Sequence, residues 1–372
     1  MDSTSLFNRT YKDLTERRER ILSGKVNCIP WGFPRFEKFL PGIEQGKYHL
    51  VTANSKVGKT QIADSIYVFN PIKQIVDNGL DIRLKIFYFS LEMTREEKMR
   101  SIFSNILYEK EGIRVSPSDL RSTKADKPIS EEVLKIILKY QKYFEKMNEV
   151  ITFIDDIRNP YGIYKIMRTY AEDNGKVFNK KVNIEGKDVD IFDYYEANDP
   201  DEYVMCIIDH ISLIKNEKEE GRVLSLRESI GKLSSNYLVK LRNMYNYIPV
   251  VIQQQSASQE GLDNARAGKL KPTLDGLGEN KTTQRDANVI LGLFSPFRHD
   301  IPTYYQYDIK LFRDNIRFLE IIGGREGGAG STTALYFDGA VNHFSELPMP
   351  SDFINLQRYH TKINKIRGQI SK

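Results

Sequence analysis

The segment HLVTANSKVGKT, residues 49–60, constrains the fold more than any other part of this sequence. An apolar stretch typical of a buried strand comes first, a segment that can form a helix follows, and Gly58, Lys59 and Thr60 lie between them. Gly-Lys occurs seven times in the chain, but only at Gly58 does a serine or threonine come next. Strand, glycine-containing loop and helix, in this order, indicate a phosphate-binding loop of the pattern G-x-x-x-x-G-K-[ST].

Such a loop would surround phosphates with its backbone N–H groups, and the N-terminus of the next helix would add its positive dipole. The predicted nucleotide-binding residues are Asn54, Ser55, Lys56, Val57, Gly58, Lys59 and Thr60. Lys59 would reach the β- and γ-phosphates and Thr60 would bind the metal, so the predicted cofactors are ATP and Mg²⁺. Ala53 replaces the first glycine of the pattern and is compatible with it if its φ is negative. The alternative is a surface turn without a ligand.

Apolar strands alternate with helices along the rest of the chain. Strands are predicted in RLKIFYFSLEM, VITFID, YVMCIID, IPVVIQQQ, ANVILGLF, RFLEIIGG and TTALYFDG. This alternation predicts an α/β fold with a mostly parallel, twisted sheet and helices on both faces. Residues 175–201 are polar and turn-rich, which predicts a hairpin or an insertion. The apolar spacing in ISEEVLKIILKYQKYFEKM predicts one amphipathic helix.

The ends of the chain differ from this central part. Residues 2–23 predict a charged helix with a thin apolar seam, Leu6, Tyr11, Leu14 and Leu22, which needs another surface to cover it. The predicted organisation is therefore an N-terminal helix over 1–23, one large domain over 24–348, and a basic tail over 349–372 that we expect to be loose.

Composition excludes some classes of protein. No stretch approaches about 20 uninterrupted apolar residues, and the charged N-terminus lacks the apolar core of a signal peptide. We therefore expect a cytoplasmic protein without a membrane partner. Five histidines and two cysteines show no spacing typical of metal ligands. The net charge of +5 permits a polyanionic partner but does not require one.

Two strand ends carry carboxylates that an ATP-hydrolysing site needs. Asp209 follows the apolar run VMCII in VMCIIDH and is the candidate ligand of Mg²⁺. Glu92, after FYFSL, is the candidate base that would orient the attacking water. The alternatives are an aspartate that caps a turn and a surface glutamate that begins a helix.

Together with the GKT loop, SLEM after an apolar strand resembles the DnaB-type hexameric replicative helicases, in their RecA-like motor domain. The resemblance covers about residues 22–345. WGFPRFEKFLPGIEQGKYHLVTA is similar to the entry segment of that family, and CIIDHISLI to its Walker B strand. IPVVIQQQS resembles the strand that ends in a γ-phosphate-sensing glutamine, and Gln255 matches that position best. QRDANVILGLF is similar to the family's E-x-D-A-D-VIL. LEIIGGREGGAGSTTALYFD resembles the element whose arginine reaches the neighbouring subunit's nucleotide, here Arg325.

The resemblance implies a P-loop ATPase that unwinds DNA. Its catalytic residues would be Lys59, Glu92 and Gln255, with Arg325 supplied to the next subunit. Residues 256–284 would line the channel of a homo-oligomeric ring, six subunits in the family, and would hold single-stranded DNA; the alternative is a disordered surface loop. In that stretch GLGENK replaces the family's DNA-contacting DLRESG, which gives the DNA-binding candidates Glu279, Asn280 and Lys281.

The resemblance also implies a linker helix, residues 1–23, which packs on the adjacent subunit, and partners such as a primase and a helicase loader. The family's N-terminal collar domain is not in this sequence, a pattern expected of a phage-like protein.

Three positions depart from the family pattern. Besides Ala53, Gly323 stands where the finger element usually has a lysine, so either Arg325 alone supplies the positive charge to the neighbouring subunit, or Arg317 or Lys310 compensates. Gly278 stands where the DNA loop has an arginine. Two other functions stay open for such a chain: a RecA-like recombination or regulatory ATPase that does not unwind DNA, and a ring subunit that binds nucleotide with little or no hydrolysis.

Overall fold

A nine-stranded sheet forms the centre of the protein. The computed structural model describes residues 5–266, 268–278 and 281–370. In chain order the strands are β1 (His49–Ala53), β2 (Arg83–Ser90), β3 (Ile151–Ile154), β4 (Glu202–Asp209), β5 (Ile248–Gln254), β6 (Val289–Phe294), β7 (Ile316–Gly324), β8 (Thr332–Asp338) and β9 (His343–Glu346). Their spatial order is β9-β8-β7-β6-β1-β5-β4-β2-β3. All pairs from β6 to β3 are parallel and the pairs from β9 to β6 are antiparallel, so the predicted mostly parallel α/β sheet is confirmed.

The parallel strands are buried on both faces, which explains their nearly continuous apolar sequences. Successive side chains of a strand point to opposite faces. Val51 and Ile207 accordingly belong to one hydrophobic cluster, whereas Leu50 and Ile208 belong to a second cluster across the sheet. A third cluster, which includes Phe318, lies at the antiparallel side of the sheet.

Helices cover both faces of the sheet. They are α1 (Leu6–Leu22), α2 (Lys59–Asp64, the π-helical segment Ser65–Phe69, and Asn70–Val76), α3 (Arg95–Glu111), α4 (Glu131–Lys139), α5 (Gln141–Val150), α6 (Pro160–Asp173), α7 (Leu226–Gly231, the π-helical segment Lys232–Leu238, and Val239–Tyr245), α8 (Leu262–Arg266), α9 (Thr282–Asp286), α10 (Ile309–Phe312) and α11 (Phe353–Ile370). None of the helices in the described ranges combines the length and the apolar content that crossing a membrane requires.

Two expectations about helices are wrong. The single helix predicted before β3 is divided into α4 and α5, because Tyr140 leaves the helical region at φ −95 and ψ 10. The tail that we expected to be loose forms α11, which buries Leu356 and Ile363 in the third cluster. Apolar side chains spaced by seven residues lie on one face of a helix, and this burial stabilises α11.

The turn-rich segment between α6 and β4 is a β-hairpin, as predicted, in which Gly175–Ile184 pairs with Lys187–Ala197. Helix α1 contacts this hairpin through charged side chains. The Arg9 guanidinium lies 3.4 Å from Asp193 and 4.5 Å from the centre of the Tyr194 ring. The apolar seam of α1, in contrast, faces away from the protein: its members Leu6, Tyr11, Leu14 and Leu22 are 61–73% exposed.

Candidate functional site

The parallel strands bring the predicted site residues to one edge of the sheet. Strand β1 ends at Ala53, which pairs with Gln254 at the end of β5, and Ser90 at the end of β2 pairs with Asp209 at the end of β4. The segments after these strands carry the phosphate-binding loop, Glu92 and the glutamines. Ligands of open α/β sheets bind at the carboxyl ends of the strands.

The loop between β1 and α2 has a conformation that needs glycine at one position. Gly58 has φ 105 and ψ 31, and a Cβ there would lie 3.2 Å from the Phe337 ring. Only glycine adopts this region without strain. Ala53 is the last residue of β1 and has an extended backbone, so its methyl group is compatible with the loop. Lys56, at φ 58, is exposed at the tip.

A buried arginine, Arg317, holds the backbone of this loop by a hydrogen bond. The Arg317 side chain is 1% exposed and stacks 4.4 Å from the centre of the Phe337 ring. Its Nε donates a hydrogen bond of 2.7 Å to the carbonyl oxygen of Val57, which is itself buried. The hypothesis that Arg317 replaces the missing charge at Gly323 in a neighbouring subunit is therefore wrong, because Arg317 holds its own loop. Lys310 stays exposed.

Lys59, Thr60 and Asp209 come together behind the loop. The Thr60 hydroxyl donates a hydrogen bond of 3.0 Å to Asp209 Oδ1. Burial lowers the pKa of Lys59, and the charges of Asp209 and Glu92 oppose this shift. A hydroxyl and a carboxylate are oxygen ligands of the type that Mg²⁺ prefers. The described residues contain no group of three or more His, Cys, Asp or Glu side chains that could hold a metal ion. The remaining ligands of Mg²⁺ would therefore have to be phosphate and water oxygens.

Sequence reasoning missed a buried polar cluster at Asp209. We call it the Lys98 cluster; it consists of Asp64 from α2, Tyr88 from β2, Lys98 from α3, and Asp209. Burial raises the pKa of Asp64 against the opposing charge of Lys98. Burial disfavours the charged forms of Lys98 and Asp209 as well, but the charges of Asp64 and Asp209 raise the pKa of Lys98, and the charge of Lys98 holds the pKa of Asp209 below its usual value. Asp209 is therefore ionised at neutral pH.

The sequence did not predict a role for Lys98, because REEKMR is typical of the exposed, charged first turn of a helix. The helical spacing contained a signal, however. Ile102 and Asn105 lie four and seven residues after Lys98 and are buried on the same face of α3. A lysine on a buried face requires a charged partner, and this requirement predicts a cluster of the observed kind.

Glu92 lies at the entrance to the site. Its side chain is 54% exposed, and its Oε2 is 4.0 Å from His210 Nε2. His210, which follows Asp209 directly, is mostly buried, and its Nδ1 has no hydrogen-bond partner in the described part of the chain. Burial and then the charge of Lys59 lower the pKa of His210, so the ring is neutral at pH 7. His210 was not singled out from the sequence.

Two side chains connect the site to the segment 256–278. The buried Gln255 donates from Nε2 to Thr52 Oγ1 at 3.0 Å and to the carbonyl oxygen of Thr273 at 3.1 Å, and its Oε1 accepts from the Thr273 N–H at 3.2 Å. Asn54 Nδ2 donates to the carbonyl oxygen of Leu270 at 3.2 Å. Gln254 is exposed instead. Both the loop and the candidate sensor therefore contact the same segment.

The DNA-binding candidates are only partly described. Glu279 and Asn280 lie outside the described residues. Lys281 is exposed and forms an ion pair of 2.8 Å with Asp275. Gly278, before the gap, has φ 72.

Arg325 lies far from the phosphate-binding loop of its own chain. Strand β7 runs antiparallel to β6, and Gly324 pairs with Val289, which pairs with His49 at the start of β1. Arg325 thus follows β7 at the opposite edge of the sheet. The five residues of β1 separate that edge from the loop, a distance along the strand of roughly 15 Å at about 3.3 Å per residue. Its side chain is exposed and donates to the carbonyl oxygen of Arg285 at 2.9 Å. The structure does not bring Arg325 together with Lys59.

Comparison with solved structures identifies the fold. A DnaB-like replicative helicase, whose structure was described with its interactions with primase, matches with a TM-score of 0.63 and 19% identity over 89% of this chain. The match spans 66% of that protein's length. A second solved structure, an ATPase domain on its own, matches with a TM-score of 0.61 and 20% identity, over 91% of this chain and 98% of that domain. No protein-family model and no curated protein sequence matches the chain. The chain therefore has the RecA-like fold of helicase ATPase domains.

Proposed function

We propose that the protein is an ATP-hydrolysing replicative helicase that moves along single-stranded DNA as a ring. The observation that carries the proposal is the arrangement at the carboxyl edge of the sheet. There Lys59, Thr60, Asp209 and Glu92 surround a glycine-containing loop in a RecA-like fold. These are the parts that phosphoryl transfer from ATP to water requires: a cradle, a cation, oxygen ligands for Mg²⁺, and a base.

In this mechanism each residue has a separate task. Lys59 places its ammonium against the terminal phosphates, where negative charge develops. Thr60 and Asp209 would hold Mg²⁺, which would neutralise phosphate charge when bound. Glu92 is exposed enough to contact water and orients the attacking molecule by accepting its proton. Neutral His210, 4.0 Å from Glu92, limits the directions in which that carboxylate can turn.

The contacts of Asn54 and Gln255 suggest how hydrolysis drives movement. Both side chains hold the backbone of segment 256–278, at Leu270 and Thr273. A nucleotide in the loop would compete for Asn54 and Gln255 and would thereby move the segment. We propose that this segment, together with Lys281, contacts the sugar-phosphate backbone of single-stranded DNA. Such binding depends little on base sequence and weakens with salt.

Two features support a ring of identical subunits. The apolar seam of α1 is exposed and needs a covering surface, which the next subunit would supply. Arg325 lies at the edge opposite its own loop, so it can contact a terminal phosphate only in a neighbouring subunit. Head-to-tail contacts of this kind close into rings, and we propose six subunits. A primase and a helicase loader are proposed partners, the former because the similar helicase was described with primase.

The decisive experiment measures ATP hydrolysis and strand displacement, with and without single-stranded DNA. We expect DNA to stimulate hydrolysis and a forked duplex to be unwound. Lys59→Ala should abolish hydrolysis while the protein stays folded. Lys187→Ala is the matched control, because Lys187 also follows a glycine but lies in the exposed turn of the β-hairpin.

The outcomes separate the three functions. Stimulation without displacement would favour a recombination or regulatory ATPase. A ring that binds nucleotide but never hydrolyses it would indicate a binding subunit. Full hydrolysis by Lys59→Ala would refute the site itself.

A further inference from the structure

Lys98 is a buried cation in direct contact with the carboxylate proposed to bind Mg²⁺. Its side chain is 3% exposed, and its Nζ lies 3.1 Å from Asp209 Oδ2. It also lies 3.2 and 3.1 Å from the two oxygens of Asp64. Tyr88 joins the same group, since its hydroxyl is 2.7 Å from Asp64 Oδ1 and 3.0 Å from Asp209 Oδ2.

These contacts give the two oxygens of Asp209 different partners. Oδ1 accepts the hydrogen bond of the Thr60 hydroxyl at 3.0 Å, whereas Oδ2 accepts from Lys98 and Tyr88. The carboxylate cannot rotate without losing contacts on both sides. Lys98 therefore fixes the direction in which Oδ1 points, which is toward Thr60.

The cluster also connects the three elements that carry the site. Asp64 lies four residues after Thr60 on α2, so both side chains are on one face of that helix. Lys98 is in the first turn of α3, which begins three residues after Glu92. Asp209 ends β4. An ion pair that joins all three keeps the metal carboxylate, the hydroxyl and the segment with the base in one arrangement.

We propose that Lys98, supported by Asp64, is a positioning residue that holds Asp209 in the orientation needed by the metal–nucleotide complex. The proposal rests on the proposed function, because it assumes that Thr60 and Asp209 take part in metal binding. Groups that orient a metal ligand typically contribute about 10- to 100-fold to metal affinity when they are removed. An ion pair that only stabilised the fold would leave metal affinity unchanged in the folded protein.

The test replaces Mg²⁺ by Mn²⁺, whose free concentration is measured by electron paramagnetic resonance in the presence of the full-length protein and ADP. In Lys98→Gln we expect the dissociation constant of Mn²⁺ to rise about 10- to 100-fold. The affinity for ADP without metal should stay within about twofold, because Lys98 does not line the loop. Lys110→Gln is the control: Lys110 is on the same helix and pairs with Asp77, away from the site.

A paired variant answers the objection that Lys98→Gln destabilises the fold by leaving the buried carboxylates of Asp64 and Asp209 without Lys98. Lys98→Gln with Asp64→Asn removes both charges and preserves hydrogen-bonding side chains, so thermal stability should return toward that of the wild type. Mn²⁺ affinity should stay weak, because Asp209 Oδ2 still lacks its contact with the Lys98 ammonium. Wild-type Mn²⁺ affinity in the folded paired variant would overturn the proposal. A wild-type protein that binds neither ADP nor Mn²⁺ with ADP would instead refute the nucleotide site, and the positioning role with it.

Discussion

Replacing Arg317 by methionine tests whether the phosphate-binding loop depends on a buried side chain. Methionine keeps an unbranched apolar stem against Phe337 but cannot donate hydrogen bonds. The change leaves the carbonyl oxygens of Val57 and Ile316 without the donors Nε and Nη1, at 2.7 and 2.9 Å, in buried surroundings. The Asp314 side chain is 62% exposed and can bind water, so its contact with Nη2 is less costly to lose. The carbonyl oxygen of Asp314 also loses a donor, Nη1 at 2.8 Å, but it lies in only partly buried surroundings.

The magnitude follows from these two buried acceptors. A buried polar group without a partner costs about 1–3 kcal/mol, so two of them cost about 2–6 kcal/mol. Removing a buried guanidinium recovers part of this cost, because the charge no longer has to be desolvated. We therefore expect the free energy of unfolding to fall by about 2–4 kcal/mol.

The assay combines urea unfolding with ADP binding. Besides the loss of stability, the affinity for ADP should fall about tenfold, which corresponds to about 1.4 kcal/mol, because the loop loses its support at Val57. Arg358→Met is the matched control, since Arg358 is exposed on α11 and donates to the Asn355 side chain on the same helix. An Arg317→Met protein with unchanged stability and ADP affinity would refute the reasoning.

Three further predictions concern pH, assembly and hydrolysis between subunits. Burial lowers the pKa of His49 to about 3, so folding excludes a proton that the unfolded chain binds below pH 6.5. The free energy of unfolding should therefore decrease as pH falls from about 6.5 toward 3, by at most about 1.4 kcal/mol per pH unit from this group. His49→Gln should reduce this dependence on pH in urea unfolding. Leu14→Glu, in the exposed seam of α1, should shift the oligomer to smaller species in sedimentation, whereas Lys12→Glu should not. Lys59→Ala and Arg325→Ala proteins should each be inactive. When the two variants are mixed in equal amounts, about a quarter of the interfaces combine an intact Lys59 with an intact Arg325 and should regain hydrolysis. No recovery would contradict an arginine supplied by the neighbour.

The sequence predicted the parallel part of the sheet well because its strands are buried on both faces. YVMCIID and IPVVIQQQ are continuous apolar runs, and such runs differ clearly from the helices between them. Strand β9 was not predicted: HFSE is short and half polar, and it pairs only at the edge of the sheet. The break at Tyr140 has no glycine or proline to mark it, so periodicity alone gave one helix instead of two.

The same holds for the candidate site: its local part could be predicted from the sequence, whereas the parts that depend on distant residues could not. The loop from Asn54 to Thr60 is local, so its pattern sufficed to predict a phosphate-binding conformation. Lys98 and Arg317 are charged residues whose burial depends on partners more than a hundred residues away, Asp209 and Val57. A sequence pattern can show that such a residue lies on an apolar face, but only the fold shows which carboxylate or carbonyl it contacts.

Strand β7 and the residue that follows it carry two arginines that have different roles in the proposed ring: Arg317 holds the loop of its own chain, and Arg325 would contact the nucleotide of the neighbouring subunit. Arg317, near its start, lies at the edge of the nucleotide site and holds the loop of its own chain through Val57. Arg325 follows the end of the same strand at the opposite edge and is exposed there. Arg317 belongs to the hydrogen-bonded strand β7 and Arg325 directly follows it, so in such a ring a change in the loop that displaces Arg317 would act on Arg325 through the backbone of β7. A ring built this way would pass the state of one nucleotide site to the next through a single strand, and hydrolysis would then proceed in order around the ring.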